Sequence, residues 1–150
     1  LLAQILQIKV NIVEKDEQES GIRATLNLGH TIAHALEKIS DYSLPHGEAV
    51  RHGILIEAKM AFLLGILNKS CFESITQWHQ HTCMTPLTLS QNQIPLLIQA
   101  LSLDKKSAHS LPRFILLEKR KCFDNASNYI QGFLYILLNI FRLSPNQYCP

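Results

Sequence analysis

Apolar residues fall at positions 1, 2, 5, 6, 8 and 10 of the opening segment LLAQILQIKVNIV, close to the spacing of one helix face, with Lys9 at its border. Residues 14–20, EKDEQES, read as a charged connection. After Gly21 no proline occurs until residue 45, and Leu26, Ala33 and Leu36 supply parts of an apolar face, which predicts a single helix over residues 22–39. The segment SDYSLP predicts a short turn, with Asp41 and Ser43 as turn formers. Pro45 suits the start of the next helix, where its missing N–H costs nothing. That helix is predicted over residues 46–64, ending near Gly65, with another over 70–81. Beyond Thr85-Pro86 the pattern loosens to a short helix over 94–101. A single strand, RFILLE, follows at 113–118. The apolar run at 129–143 predicts a buried C-terminal helix. It falls short of the ~20 residues that span a bilayer, and it contains Gln131, Asn139 and Arg142. The fold class is mainly α with one short strand.

Composition narrows the function classes. The chain has 150 residues, 47% of them apolar, enough for one domain with a core. A net charge of +2, without a basic stripe, gives no reason to expect nucleic acid or a membrane as partner. The four cysteines match no zinc ribbon or CxxC spacing, and no secretory leader is visible, so reduced thiols and a cytoplasmic location are expected. Six scattered glycines form no phosphate-binding GxGxxG loop. The chain opens on Leu1 and its first methionine is Met60, so a piece of a longer protein is expected.

The residues with chemical potential concentrate in NLGHTIAHALEKISDYSLPHGE, residues 27–48. His30 and His34 are four apart and share one helix face, with Glu37 a turn further. A tight hairpin brings His46 back toward His30. Imidazole is a natural ligand for zinc and related divalent ions, although an HxxxH pair also arises by chance on a surface. Gly29 and Gly47, beside His30 and His46, permit close approach either to a ligand or to another helix.

The run DEQESGIRATLNLGHTIAHALE followed by LPHGEAV resembles the 3-dehydroquinate synthase family in register over residues 9–60. A weaker likeness continues at Asp104-Lys105-Lys106 and at Arg113–Leu117. Ala33, Ile54, Ser110, Arg120 and Lys121 depart from the family pattern, as does the tail after about Ser127. The resemblance implies that residues 1–150 are the helical metal- and substrate-binding domain, with an N-terminal nicotinamide-binding α/β domain lying outside the chain. It implies a divalent metal, zinc or cobalt, held by His30 and His46 and by a glutamate from upstream. It makes His34 the proton-transfer residue, and places Lys9, Glu19, Arg23 and Asn27 in the catalytic and substrate site. Lys105 or Lys106 would reach the anionic end of the substrate.

No cofactor-binding residue is expected within this chain. NAD would belong to the intact enzyme, with a homodimer as its possible assembly. The implied reaction converts 3-deoxy-D-arabino-heptulosonate 7-phosphate to 3-dehydroquinate with release of phosphate, in the shikimate route to aromatic amino acids. The implied partner is thus a small sugar-acid phosphate. The cationic set Lys9, Arg23 and Lys105/Lys106 suits an anionic substrate and argues against a metal-dependent polyol dehydrogenase. A related sugar-phosphate cyclase remains an alternative. So does a non-catalytic helical remnant, because this chain by itself is expected to be inactive.

Overall fold

The computed structural model describes residues 1–82, 85–102 and 112–118, and the backbone of 121–124. The predicted C-terminal helix, Lys105 and Lys106 lie outside these residues. Five α-helices are present among them: α1 (Leu2–Lys15), α2 (His30–Ile39), α3 (His46–Leu63), α4 (Lys69–Thr82) and α5 (Gln93–Ser102). Within the described residues each expected element recurs within one or two residues, except where residues 22–39 divide in two. Ile22–Asn27 is a 3-10 helix, and α2 starts only at His30.

Gly29 marks the break, at φ +78°. The cause is tertiary. A Cβ at Gly29 would lie 2.7 Å from the Ile54 backbone nitrogen and 2.8 Å from the Val50 carbonyl oxygen, both on α3. A Cβ at Gly53 would in turn fall on the Gly29 carbonyl oxygen, well inside van der Waals contact. The chain thus enters α2 pressed against α3, and a left-handed residue redirects it there. Gly47 behaves differently from the close-approach expectation, since a Cβ there meets nothing within 4 Å.

The α2–α3 hairpin is the centre of the core. Ile32, Ala33, Ala35 and Leu36 of α2 are buried against the small-residue face of α3, where Ala49, Gly53, Ala58 and Ala61 let the backbones approach. Asp41 and Tyr42 take positive φ in the connecting turn. Pro45 precedes α3, and its carbonyl accepts from the Glu48 and Ala49 N–H groups. Leu97 and Leu101 of α5 pack into the same cluster beside α2, while α4 lies along α3. Asn68 caps α4 through its side-chain oxygen on the Cys71 N–H, at 2.8 Å.

The expected strand is present as β1 (Ile115–Glu118). It has an antiparallel partner that the sequence pattern does not predict, β2 (Lys121–Asp124), in the register Ile115↔Asp124 to Glu118↔Lys121. The Thr31 hydroxyl donates to the Arg113 carbonyl at 2.5 Å, tying the start of α2 to the approach to β1. Helix α1 has no buried residue, and Leu2, Ile5, Leu6, Ile8 and Val10 stay exposed along it. Among the described residues no helix is long and apolar enough to cross a membrane.

The glycine contact yields a paired prediction. Gly53→Ala must push a methyl group into the Gly29 carbonyl, and overpacking of this kind costs about 1–3 kcal/mol. Because the obstacle is backbone, a loss of about 2–3 kcal/mol is expected. Gly47→Ala should be neutral or stabilising by up to ~1 kcal/mol, since its site is helical and open. Urea denaturation of the two variants checks both. Equal midpoints would show that the Gly29–Gly53 contact does not control the hairpin.

Candidate metal and substrate site

His30 is the first residue of α2, His34 follows one turn later, and His46 is the first residue of α3. The hairpin turn therefore returns His46 to the start of α2, as its length suggested. The ring centroids of His30 and His46 are 5.4 Å apart, those of His30 and His34 5.9 Å, and those of His34 and His46 6.2 Å. Two imidazoles sharing one tetrahedral ion at ~2.0–2.1 Å have centroids roughly 5 Å apart. The His30–His46 pair comes nearest to that spacing.

The hydrogen bonds on the two rings sharpen the assignment. His30 Nδ1 lies 3.1 Å from the Leu28 carbonyl oxygen, and His46 Nδ1 lies 2.9 Å from Glu37 Oε1. A carbonyl or carboxylate only accepts, so each Nδ1 carries a proton, and in the neutral form of either ring Nε2 presents a lone pair. Locking one ring nitrogen on a carbonyl or carboxylate, with the other left for a metal, is the arrangement that metal-binding histidines adopt. His34 has no such lock among the described residues. Glu37, expected only to share a face with the histidines, is the residue that orients His46.

Among the described residues, no group of three or more His, Cys, Asp or Glu side chains is arranged to hold a metal ion. The donor types of His30 and His46 and the spacing of their rings fit a divalent metal, of which they would be two ligands.

The other expected residues lie on the loop and 3-10 helix just before this hairpin. Asn27 Nδ2 donates to Glu19 Oε1 at 2.6 Å, with Glu19 in a left-handed conformation at φ 55°. The Arg23 guanidinium donates to the Glu17 carbonyl at 2.7 Å. Lys9 is exposed on α1, and no hydrogen bond or ion pair joins it to the histidines among the described residues.

Asp16, which the sequence reading passed over, organises the loop. Its carboxylate accepts from the backbone N–H groups of Arg23, Ser20 and Gly21 at 2.7–3.0 Å. Those bonds, the Arg23 N–H foremost, hold its carboxyl below the ordinary range. An acidic residue followed by Ser-Gly a few positions on is the signal that could have found it.

A second histidine pair was also missed. His52 is buried on α3. Its Nε2 donates to the Thr85 carbonyl at 2.9 Å, which leaves Nδ1 to accept from His79 Nε2 at 3.1 Å. This neutral chain ties α3 to α4 and to the segment at Thr85. Burial is the main force holding both imidazoles below their ordinary range, His79 to about 4. The neighbouring His52 and then Arg51 depress His79 further. Glu57 is, with Glu48, one of two buried acids of α3 and the more deeply buried, and burial pushes its carboxyl up to about 8, against the opposing Gly29 N–H.

Five comparisons bear on this geometry. Residues 1–107 match the family model described as 3-dehydroquinate synthase C-terminal. The 3-dehydroquinate synthase of Legionella pneumophila (strain Lens) is 39% identical over 120 residues, covering 79% of this chain and 32% of that protein. The one from Campylobacter jejuni subsp. doylei is 36% identical over 117 residues, covering 77% and 33%. Among solved structures, 2-epi-5-epi-valiolone synthase from Streptomyces hygroscopicus subsp. jinggangensis, with NAD+ and Zn2+ bound, superposes with a TM-score of 0.69. It is 16% identical, and the match covers 94% of this chain and 39% of that one. 2-Deoxy-scyllo-inosose synthase, complexed with carbaglucose-6-phosphate, NAD+ and Co2+, gives 0.65 at 19% identity, covering 84% and 38%. Those two likenesses establish the shared fold. The chain spans about a third of the length of the relatives it matches.

The buried titratable groups set a pH dependence. Native Glu57 keeps its proton up to about pH 8, whereas the unfolded chain loses it above 4.5. The native state thus binds the extra proton, and stability falls as pH rises through that window. His79 acts in the opposite sense. It stays neutral down to about pH 4 in the fold but protonates below 6.5 when unfolded, so its contribution is lost as pH falls. Between 6.5 and 8 the Glu57 effect stands without this opposition. The urea-unfolding free energy should decline there by up to about 1.4 kcal/mol per pH unit. Glu57→Gln should flatten the decline, and an unchanged slope in that variant would assign it to other groups.

Proposed function

The chain belongs to the 3-dehydroquinate synthase family, and from that premise we propose that it forms the metal- and substrate-binding part of an enzyme that converts 3-deoxy-D-arabino-heptulosonate 7-phosphate to 3-dehydroquinate with loss of phosphate. The observation that carries the reading is the pair of Nδ1-locked histidines, His30 and His46, each with Nε2 presented as a donor. A nicotinamide-binding α/β domain outside these residues would complete the site and contribute a glutamate ligand. The reaction class is a phosphate-eliminating lyase and cyclase in a cytoplasmic biosynthetic route, with a homodimer as the assembly.

In this reading His30 and His46 hold the ion, and Glu37 keeps the His46 ring from rotating. A bound zinc or cobalt ion would supply Lewis-acid polarisation and a template for neighbouring substrate oxygens, and NAD the reversible hydride step. His34, unlocked and one turn from His30, takes and returns the protons that accompany hydride removal and phosphate departure. Lys9, Arg23, Lys105 and Lys106 meet the phosphate and carboxylate, the guanidinium through paired N–H groups and the lysines as point charges. Asn27, oriented by Glu19, can both donate and accept at a substrate oxygen. The exposed apolar face of α1 suits a buried position in the longer protein.

The test separates ligand from proton carrier. Zinc should bind the 150-residue chain only weakly by calorimetry. It should bind tightly once the chain is joined to the upstream two-thirds of the Legionella pneumophila relative, and phosphate release should appear only then. In the joined protein His46→Ala should remove metal and turnover together. His34→Ala should keep the metal while turnover falls by about 10²–10⁴-fold. Tight stoichiometric zinc in the 150 residues alone would refute a shared ligand set. Metal loss from His34→Ala would make His34 a ligand.

A further inference from the structure

Glu57 is fully buried, and the reaction outlined above has no use for it. Its Oε2 accepts the Gly29 N–H at 2.7 Å, across 28 positions of sequence, while Oε1 has no hydrogen-bond partner among the described residues. A buried acid is costly to keep, and α3 offers small apolar residues on either side of it along this face. The bond it makes has a specific geometric consequence. The Gly29 N–H and the Leu28 carbonyl belong to one peptide group, and that carbonyl is the acceptor for His30 Nδ1, at 3.1 Å. A peptide group is planar and trans, so fixing the direction of its N–H fixes the direction of its C=O. Glu57 grips one end of this plane and the His30 ring is bound to the other.

We propose that Glu57 is a positioning residue, which sets the tautomer and orientation of the His30 imidazole through the Leu28–Gly29 peptide group.

The Gly29 conformation makes the device necessary. At φ +78°, between a 3-10 helix and α2, the Leu28–Gly29 peptide is not held by the hydrogen-bond ladder of either helix. The Gly29 carbonyl, on the following peptide, is already taken by the Ala33 N–H at 2.9 Å and pressed by Gly53. The Leu28–Gly29 plane would otherwise be free to rotate, and the His30 lock with it. Glu57 supplies the missing restraint from the opposite helix. Hydrogen bonds in series through a peptide also polarise one another, so the carboxyl strengthens the bond that the Leu28 carbonyl makes to the ring.

This inference rests on the reading of His30 as a metal ligand, and its test distinguishes the two. Glu57→Gln keeps an oxygen able to accept the Gly29 N–H, whereas Glu57→Leu keeps bulk and loses the acceptor. A packing role would be served by Leu, a positioning role by Gln. In the 150-residue chain, imidazole nitrogen NMR should show His30 as the Nδ1–H tautomer in the native protein and in Glu57→Gln. Glu57→Leu should show a tautomer mixture. Exchange of the Gly29 amide should be at least about tenfold faster in Glu57→Leu only. Zinc affinity should fall about 10–100-fold in Glu57→Leu, the usual effect of losing an outer partner of a ligand, and be kept in Glu57→Gln.

Should Glu57→Leu fail to fold, the native chain and Glu57→Gln decide. A step in the Gly29 amide and His30 ring signals near pH 8 should be present in the native chain and absent from Glu57→Gln. An unchanged His30 tautomer and Gly29 protection in Glu57→Leu, or His30 signals indifferent to Glu57 ionisation, would overturn the proposal. Absence of zinc binding once the chain is joined to the upstream two-thirds of the Legionella pneumophila relative would count against the metal reading alone, because the tautomer and exchange measurements still judge Glu57.

Discussion

Everything chemical in this domain depends on the close approach of α2 to α3 at Gly29 and Gly53. Neither position tolerates a Cβ, because each would strike the backbone of the other helix or of the turn before it. The approach forces Gly29 into a left-handed conformation and ends the 3-10 helix one step earlier, at Asn27 with Leu28 as its cap. His30 therefore becomes the first residue of a helix, with the Leu28 carbonyl within reach of its ring. At the other end of the hairpin, the turn with left-handed Asp41 and Tyr42 brings His46 over the same helix end. A hairpin spaced by larger residues would separate the two rings that the proposed metal site requires.

The polar groups inside this core are consistent with a structure that serves a site at some cost to stability. Glu57 is buried with one oxygen unpartnered among the described residues, and the His52–His79 pair is held neutral between α3 and α4. An apolar core of the same shape would avoid these desolvation costs. Each group instead directs a hydrogen bond at backbone that no regular ladder secures, Glu57 at Gly29 and His52 at Thr85. Their opposed pH responses also confine greatest stability to mildly acidic conditions, below the decline that Glu57 sets from pH 6.5 upward, since burial disfavours the charged forms of an acid and of an imidazole alike.

Two imidazoles bonded at Nδ1, a third without such a bond, and, just before them in the chain, Glu19, Arg23 and Asn27 on the segment braced by Asp16 concentrate polar groups within residues 16–46. The exposed apolar face of α1 lies beside the 3-10 helix of that segment.

Much of this was legible in order of residues alone. Helices α3, α4 and α5 and the existence of β1 follow from apolar spacing and from Pro45 and Gly65, because these signals act within a turn or two of chain. The HxxxH spacing and the step to His46 were legible for the same reason, since helix geometry and a short turn dictate where they fall. Other features were decided only by contacts between residues far apart. The break at Gly29 arises because α3 leaves no room there, and the helical pattern of residues 22–39 runs across it without interruption. Partnering of β1 by Lys121–Asp124 was invisible, since four residues with charged ends carry no alternation to read. Glu57 reads as a solvated charge among EAK, and His52 as one more polar position. Burial makes one a clamp on Gly29 and the other a link to His79. Sequence patterns report which face of an element is apolar, whereas the meaning of a polar residue on that face depends on which backbone group tertiary packing places opposite it.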